Sequence, residues 1–137
     1  MTTAKNCLIV DDSELIREIA VRILIDLGLD ADAAADAPEA IEYCREKTPA
    51  VVFLDWDLPS MGALDFLRGV AGLDGVEKPA IVLCATENDH QQFTLAKAAG
   101  AAHHILKPYD KAVVAAKLAE IGLIDGGAVI SASAAKA

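Results

Sequence analysis

The chain has 137 residues, 54% of them apolar and 27 of all residues alanine, with 12 basic against 21 acidic side chains and a formal charge of −9. That length corresponds to one domain and suffices to bury a core without disulfide or metal staples. The acidic balance argues against a nucleic-acid-binding module, which neutralises phosphates with basic patches, and against attachment to an anionic membrane.

Met1–Asn6 is polar, without the long hydrophobic stretch of a signal peptide, and no later run approaches the ~20 apolar residues of a membrane-spanning helix. Cys7–Val10 is a short apolar run that reads as a buried strand. Leu15, Ile16, Ile19, Ala20, Ile23, Leu24 and Leu27 then form an apolar stripe at helical spacing, stopped by Gly28. Leu29–Ala35 alternates Leu29, Ala31, Ala33 and Ala35 with Asp30 and Asp32, the pattern of an edge strand with one wet face. Pro38 lies in the first turn of a second helix, with Ala40, Ile41 and Cys44 inward. Val51–Leu54 is a second buried strand, and Leu64, Leu67, Val70 and Ala71 mark a third helix. Ala80–Cys84 is another strand; Phe93, Ala96 and Ala99, stopped by Gly100, mark a fourth helix. A brief Ile105–Leu106 strand and a fifth helix marked by Val113, Val114, Leu118 and Ile121 complete the pattern. This alternation predicts an α/β fold, with a parallel sheet covered on both faces through right-handed crossovers. After Ile121 the chain turns to small residues, Gly126-Gly127 and two charges, Asp125 and Lys136. The expectation is one domain over residues 1–121 and a flexible tail over 122–137. Three cysteines, Cys7, Cys44 and Cys84, form no CxxC and lie in apolar stretches, which fits free thiols in a reducing cytoplasm.

Sites in doubly wound sheets gather at the carboxyl ends of the strands. Asp11-Asp12 follows the first strand, Asp55 the third, Thr86 the fourth and Lys107-Pro108 the fifth. Crowded carboxylates repel one another unless a cation sits among them. An all-oxygen set with few protein donors suits Mg²⁺. A carboxylate beside such an ion can attack a phosphoryl group and form an aspartyl phosphate, with Lys107 and the Thr86 hydroxyl neutralising the phosphoryl oxygens. Taken singly, each element has a plainer reading. Asp11-Asp12-Ser13 suits a helix cap, Asp55 a loop acid and Lys107 a solvated lysine.

With Leu8-Ile9-Val10-Asp11-Asp12-Ser13, Leu54-Asp55-Trp56-Asp57-Leu58-Pro59, Thr86 and Ile105-Leu106-Lys107-Pro108-Tyr109 together, the sequence closely resembles the receiver domains of two-component response regulators over residues 5 to 121. The resemblance implies a flavodoxin-like fold with strand order 2-1-3-4-5. It implies Asp55 as phosphoacceptor, and Asp11, Asp12 and Asp55 as Mg²⁺ ligands together with the backbone carbonyl of Asp57. It makes Thr86 the switch hydroxyl, Lys107 the lysine that pairs with the phosphoryl group, and Lys107–Pro108 a cis peptide. The stretch Cys84-Ala85-Thr86-Glu87-Asn88-Asp89, with Ala99-Gly100-Ala101, resembles chemotaxis regulators of the CheY type. These are phosphorylated by a chemotaxis histidine kinase and bind the flagellar motor switch. Two positions depart from the family. His104 replaces the usual switch aromatic, which adds a pH-sensitive group to the switch. Gly62-Ala63 stands where the family often has Asp-Gly, which shifts the turn into the third helix.

Other residues carry less. His103 and His104 are neighbours on a strand and point to opposite faces, so they do not chelate together. His90 reads as solvated, and Trp56 as a rim aromatic useful as a fluorescence reporter. Gln91, Gln92, Lys97, His104 and Lys111 lie on the face that family partners read.

The leading expectation is a stand-alone, monomeric, cytoplasmic regulator without an output domain. It catalyses its own phosphorylation and dephosphorylation but is no turnover enzyme. Its partners are a histidine kinase, a motor switch protein and a phosphatase, with no nucleic acid and no membrane. A phosphate sink or phosphorelay shuttle uses the same site. The enzyme alternative is a haloacid-dehalogenase-like phosphatase, since Asp55-x-Asp57 follows an apolar strand. Against it, Pro59 replaces that motif's Thr, and the acidic pair precedes the nucleophile.

Overall fold

Five strands alternate with five helices: β1 (Asn6–Val10), α1 (Glu14–Asp26), β2 (Asp30–Ala34), α2 (Ala37–Lys47), β3 (Val51–Asp55), α3 (Gly62–Ala71), β4 (Ala80–Ala85), α4 (His90–Ala98), β5 (His103–Leu106) and α5 (Lys111–Ile121). In this computed structural model, the residues described are 5–75, 77–86 and 89–124. All strands pair in parallel, in the order β2-β1-β3-β4-β5 that the resemblance implies.

The continuous apolar runs of the inner strands follow from a sheet covered on both faces, because successive side chains point to opposite sides. Leu8, Val10, Val52, Leu54, Ile81 and Leu83 pack with Cys44, Phe66, Leu67 and Ala96 of α2, α3 and α4. Cys7, Ile9, Val51, Phe53, Val82 and Cys84 pack with Ala20, Leu24, Val114 and Leu118 of α1 and α5. Each large side chain so buried contributes about 1.5–3 kcal/mol relative to exposure. The edge strand β2 keeps Asp30 and Asp32 in water and half-buries Ala31 and Ala33, as its alternation predicts. All three cysteines are buried and free.

The inward stripe of α1 is narrower than its seven apolar residues predict. Ala20 and Leu24 are buried, but Leu15 and Ile19 are 63% and 44% exposed. A helix lying on a sheet covers only part of its circumference, and Ile19 lines an open surface pocket together with Pro108 and Tyr109 of the loop after β5. The entry to α3 runs through a 3-10 turn, Pro59–Met61, in which Ser60 takes the left-handed φ of +58°. Gly62 is itself helical; a Cβ there would lie 3.1 Å from the Leu58 Cβ, a tight contact that asks Leu58 to give by a few tenths of an ångström. Past α5, Gly122 turns the chain at φ +94°, and Leu123 and Ile124 pack on the α1–α5 side of the core. The remainder of the tail expected over 122–137 lies outside the described residues. Among the described residues, no helix is long and apolar enough to cross a membrane.

Candidate functional site

The parallel ladders deliver three chain ends to one rim. Asp55 is the last residue of β3, Asp11 follows β1 and Lys107 follows β5. Three backbone bonds prolong the sheet there: Asp11 N–H to the Ala34 carbonyl at 3.1 Å, Trp56 N–H to Cys84 at 2.9 Å and Lys107 N–H to Ala85 at 2.7 Å. The strand order reverses beside β1, which opens the crevice where such sheets hold ligands. The Lys107–Pro108 peptide is cis.

Lys107 Nζ lies 2.9 Å from Asp11 Oδ2 and 2.9 Å from Asp55 Oδ1. Both carboxylates are 3% exposed. A buried charge needs such pairing and further hydrogen bonds. Ser13 N–H donates to Asp11 Oδ1 at 2.9 Å, and Asp57 N–H to Asp55 Oδ1 at 3.0 Å. Arg17 of α1 reaches back to donate from Nη1 to the Asp11 backbone carbonyl at 2.8 Å. The helix cap is therefore Ser13, whose hydroxyl accepts from Ile16 N–H, while Asp11 turns into the crevice. Asp12 is exposed at the mouth. One oxygen from each of Asp11, Asp12 and Asp55 comes within 4.8 Å of the others.

Burial raises the pKa of Asp55, and the Asp11 charge adds to this; Lys107 and the Asp57 N–H hold it down. For Lys107, burial opposes the charged form, but bonds to Asp11 and Asp55 outweigh it and the pKa rises. Burial likewise drives the Cys84 thiol beneath the site upward, with Lys107 pulling it down and Asp55 and Asp11 adding to the rise. That thiol stays protonated and inert. The arrangement is thus two buried carboxylates sharing one ammonium, with the exposed Asp12 carboxylate close by at the mouth.

Thr86 stands exposed after β4, and its hydroxyl donates to Asp57 Oδ2 at 3.4 Å. His104 is not at the carboxylates. It lies on β5 and stacks on Phe93 of α4, with ring centroids 4.1 Å apart and planes at 19°. Both line a pocket of about 210 Å³ with His90 and Lys97. His103 points the other way, its Nδ1 3.9 Å from Glu120 of α5. The two histidines do not converge, as strand alternation requires.

The response regulator receiver domain family matches this sequence over residues 7–119. The chain belongs to that family. Receiver domains bind Mg²⁺ through acidic residues, and the buried oxygen donors of Asp11 and Asp55 with exposed Asp12 fit such a hard cation. The receiver is 29% identical over 115 residues to chemotaxis protein CheY-3 of Vibrio cholerae, covering 83% of this chain and 88% of that protein. The chemotaxis response regulator CheY4 of Vibrio cholerae superposes with a TM-score of 0.80 at 27% identity, covering 87% of this chain and 99% of that one. The fold is therefore CheY-like. A protein-glutamate methylesterase/protein-glutamine glutaminase of Xanthomonas euvesicatoria pv. vesicatoria (strain 85-10) is 38% identical over 106 residues, 74% of this chain. The receiver spans only 29% of that protein's length. The match leaves the dehalogenase alternative without support.

The site contains three participants that the residue pattern does not single out: Arg17 and the amides of Ser13 and Asp57. Arg17 has a readable signal, the one basic residue in the first turns of a helix that starts beside an acidic pair. The Ser13 amide, like the Asp57 amide, is a backbone donor and has no sequence signature.

Proposed function

We propose that Asp55 accepts a phosphoryl group from the phosphohistidine of a chemotaxis-type histidine kinase and that the α4–β5–α5 face reports its presence. The observation that supports this best is Asp55 itself: a carboxylate 3% exposed at the end of a central strand, shared with Asp11 by a single lysine. Lys107 and the Asp57 amide both engage Oδ1, so Oδ2 is the attacking oxygen. The new P–O bond forms as the P–N bond to the donor imidazole breaks; the departing nitrogen keeps the electron pair, and the ring leaves as neutral imidazole because its other nitrogen already carries the proton. Bound by Asp11, Asp12, Asp55 and the Asp57 backbone carbonyl, Mg²⁺ supplies neutralisation of the phosphoryl oxygens. Lys107 then turns from the carboxylates to a phosphoryl oxygen, and the Thr86 hydroxyl leaves Asp57 for another. These contacts exist only in the phosphorylated state, which is what allows them to bias a two-state surface at His104 and Phe93. The likeness to CheY-3 and CheY4 favours the flagellar motor switch as the target over a phosphate sink.

The test is intact mass after incubation with Mg²⁺ and a small acyl phosphate. The parent gains one labile phosphoryl group and Asp55→Asn gains none. Equal gain in both, or none in either, overturns the assignment. Capture of a motor switch component with and without a phosphoryl mimic then separates the outputs. Binding that ignores the mimic removes the motor reading and leaves the sink.

A further inference from the structure

The proposed reaction asks Lys107 to change partners, and Lys107 is the cation that holds the Asp11 carboxylate. Something else must keep the end of β1 in place while that happens. The second cation at the rim is Arg17, and it grips the main chain of Asp11 instead of its carboxylate. Its backbone opens α1 by bonding to the Ser13 carbonyl at 3.0 Å, while Ser13 N–H holds Asp11 Oδ1. The Asp11 amide meanwhile stays in the ladder with Ala34. Asp11 is thus fixed at its amide by β2, at its carbonyl by Arg17 and at one carboxylate oxygen by the turn. None of the three depends on Lys107.

We infer that Arg17 is a positioning residue for the Asp11–Asp12 pair, holding both carboxylates in register for a divalent cation through every stage of the cycle. This rests on the reading of those aspartates as Mg²⁺ ligands. Two effects of the guanidinium oppose each other, and their sign separates this role from a merely electrostatic one. As a nearby positive charge, it repels Mg²⁺, so its removal tightens binding. As a clamp, it keeps the ligands from spreading, so its removal weakens binding. Outer-sphere groups that orient metal ligands typically matter by roughly 10- to 100-fold in metal affinity.

The measurement is a Mg²⁺ titration of the full chain followed by emission of Trp56, the single tryptophan, half-buried beside Asp55. Arg17→Met keeps the apolar stem and removes the donors, Arg17→Lys keeps one donor, and Asp12→Ala is the control. Melting of each chain without Mg²⁺ is recorded alongside, and titrations are run far below the transition. The expected result is a Kd raised roughly 10-fold in Arg17→Met and largely recovered in Arg17→Lys, with both chains folded at the titration temperature. A Kd within about twofold of the parent, or a tighter one, overturns the clamp while the Asp12→Ala loss leaves the metal reading standing. If Arg17→Met does not fold, a parent-like Kd in Arg17→Gln, whose amide is too short to keep the same bond, overturns it equally. A parent that ignores Mg²⁺, or an Asp12→Ala chain that titrates like it, defeats the metal reading itself and the clamp with it.

Discussion

Asp11 and Asp55, at the carboxyl end of the sheet, are 3% exposed and share one ammonium. Three residues before that lysine, on the same strand chain, His104 lies open to solvent and rests on the ring of Phe93. The rim is assembled from charges withdrawn from water, each needing a partner. The α4–β5 face is assembled from a ring stack and screened charges, each nearly independent of the rest. Changes at the rim should therefore move stability and ion binding together. Changes on the face should leave stability almost alone and act on recognition.

The sharpest way to break the contrast is Lys107→Ala. It leaves two buried carboxylates facing each other without their shared cation. Removing one partner of a buried pair costs roughly 3–5 kcal/mol. We expect a loss of about 3 kcal/mol in the Mg²⁺-free chain by denaturant unfolding, with part recovered as Mg²⁺ is added, since a ligand of the native state stabilises it by mass action. A loss under about 1 kcal/mol would place the carboxylates in effectively solvated surroundings and erase the difference between rim and face.

Asp55→Asn tests the same electrostatics in the opposite direction. Folding raises the Asp55 pKa, chiefly by burial, so the native state prefers the neutral carboxyl. An acid whose native pKa lies above its unfolded value costs stability as pH rises through the window between the two. The neutral amide escapes that cost. The variant should be more stable than the parent at pH 7, although it retains Lys107. The gain should shrink as pH falls through the native pKa and vanish below the unfolded one, roughly 4. A variant less stable than the parent at pH 7 would mean that the Lys107 bond outweighs the burial of charge.

The strand ends are readable because continuous apolar runs stop abruptly at acids and at Lys107, and topology alone carries those ends to one rim. The pairing in space was not readable residue by residue. Lys107 is 96 residues from Asp11, and the pair exists only through β4 and β5. The cap shows a different limit. Ser13 and Asp11 are equally good caps by propensity, but Ser13 stands directly before the first residue of α1, while the Asp11 carboxylate accepts from Ser13 N–H and from Lys107. The stripe of α1 overstates burial, because periodicity records which residues share a side but not how much of that side the sheet covers. The Phe93–His104 stack was half legible. Phe93 belongs to the apolar stripe of α4, but its contact with a polar ring depends on how α4 settles over β5.

The face carries the smallest prediction. Partial desolvation of the otherwise exposed ring lowers the His104 pKa, Lys117 and His90 push the same way, and Glu120 opposes them. Among the groups nearby, His103 is held by Glu120, and Lys97 lines the same pocket. A base with a depressed native pKa binds its proton more readily when unfolded. Its contribution to stability is intact above the unfolded value of roughly 6.5 and is lost as pH falls through the window below it. The loss is limited by exposure, and a protonated imidazole over the Phe93 face recovers some attraction. His104→Tyr keeps the stack and removes the titration. Melting of parent and variant at pH 7.5 and 5.5 should show a slightly larger drop in the parent. An NMR titration should place the His104 midpoint below that of an unfolded-chain histidine. A midpoint at or above it would mean that Glu120 governs the ring, and His104 would then belong with the charge-paired rim instead of the open face.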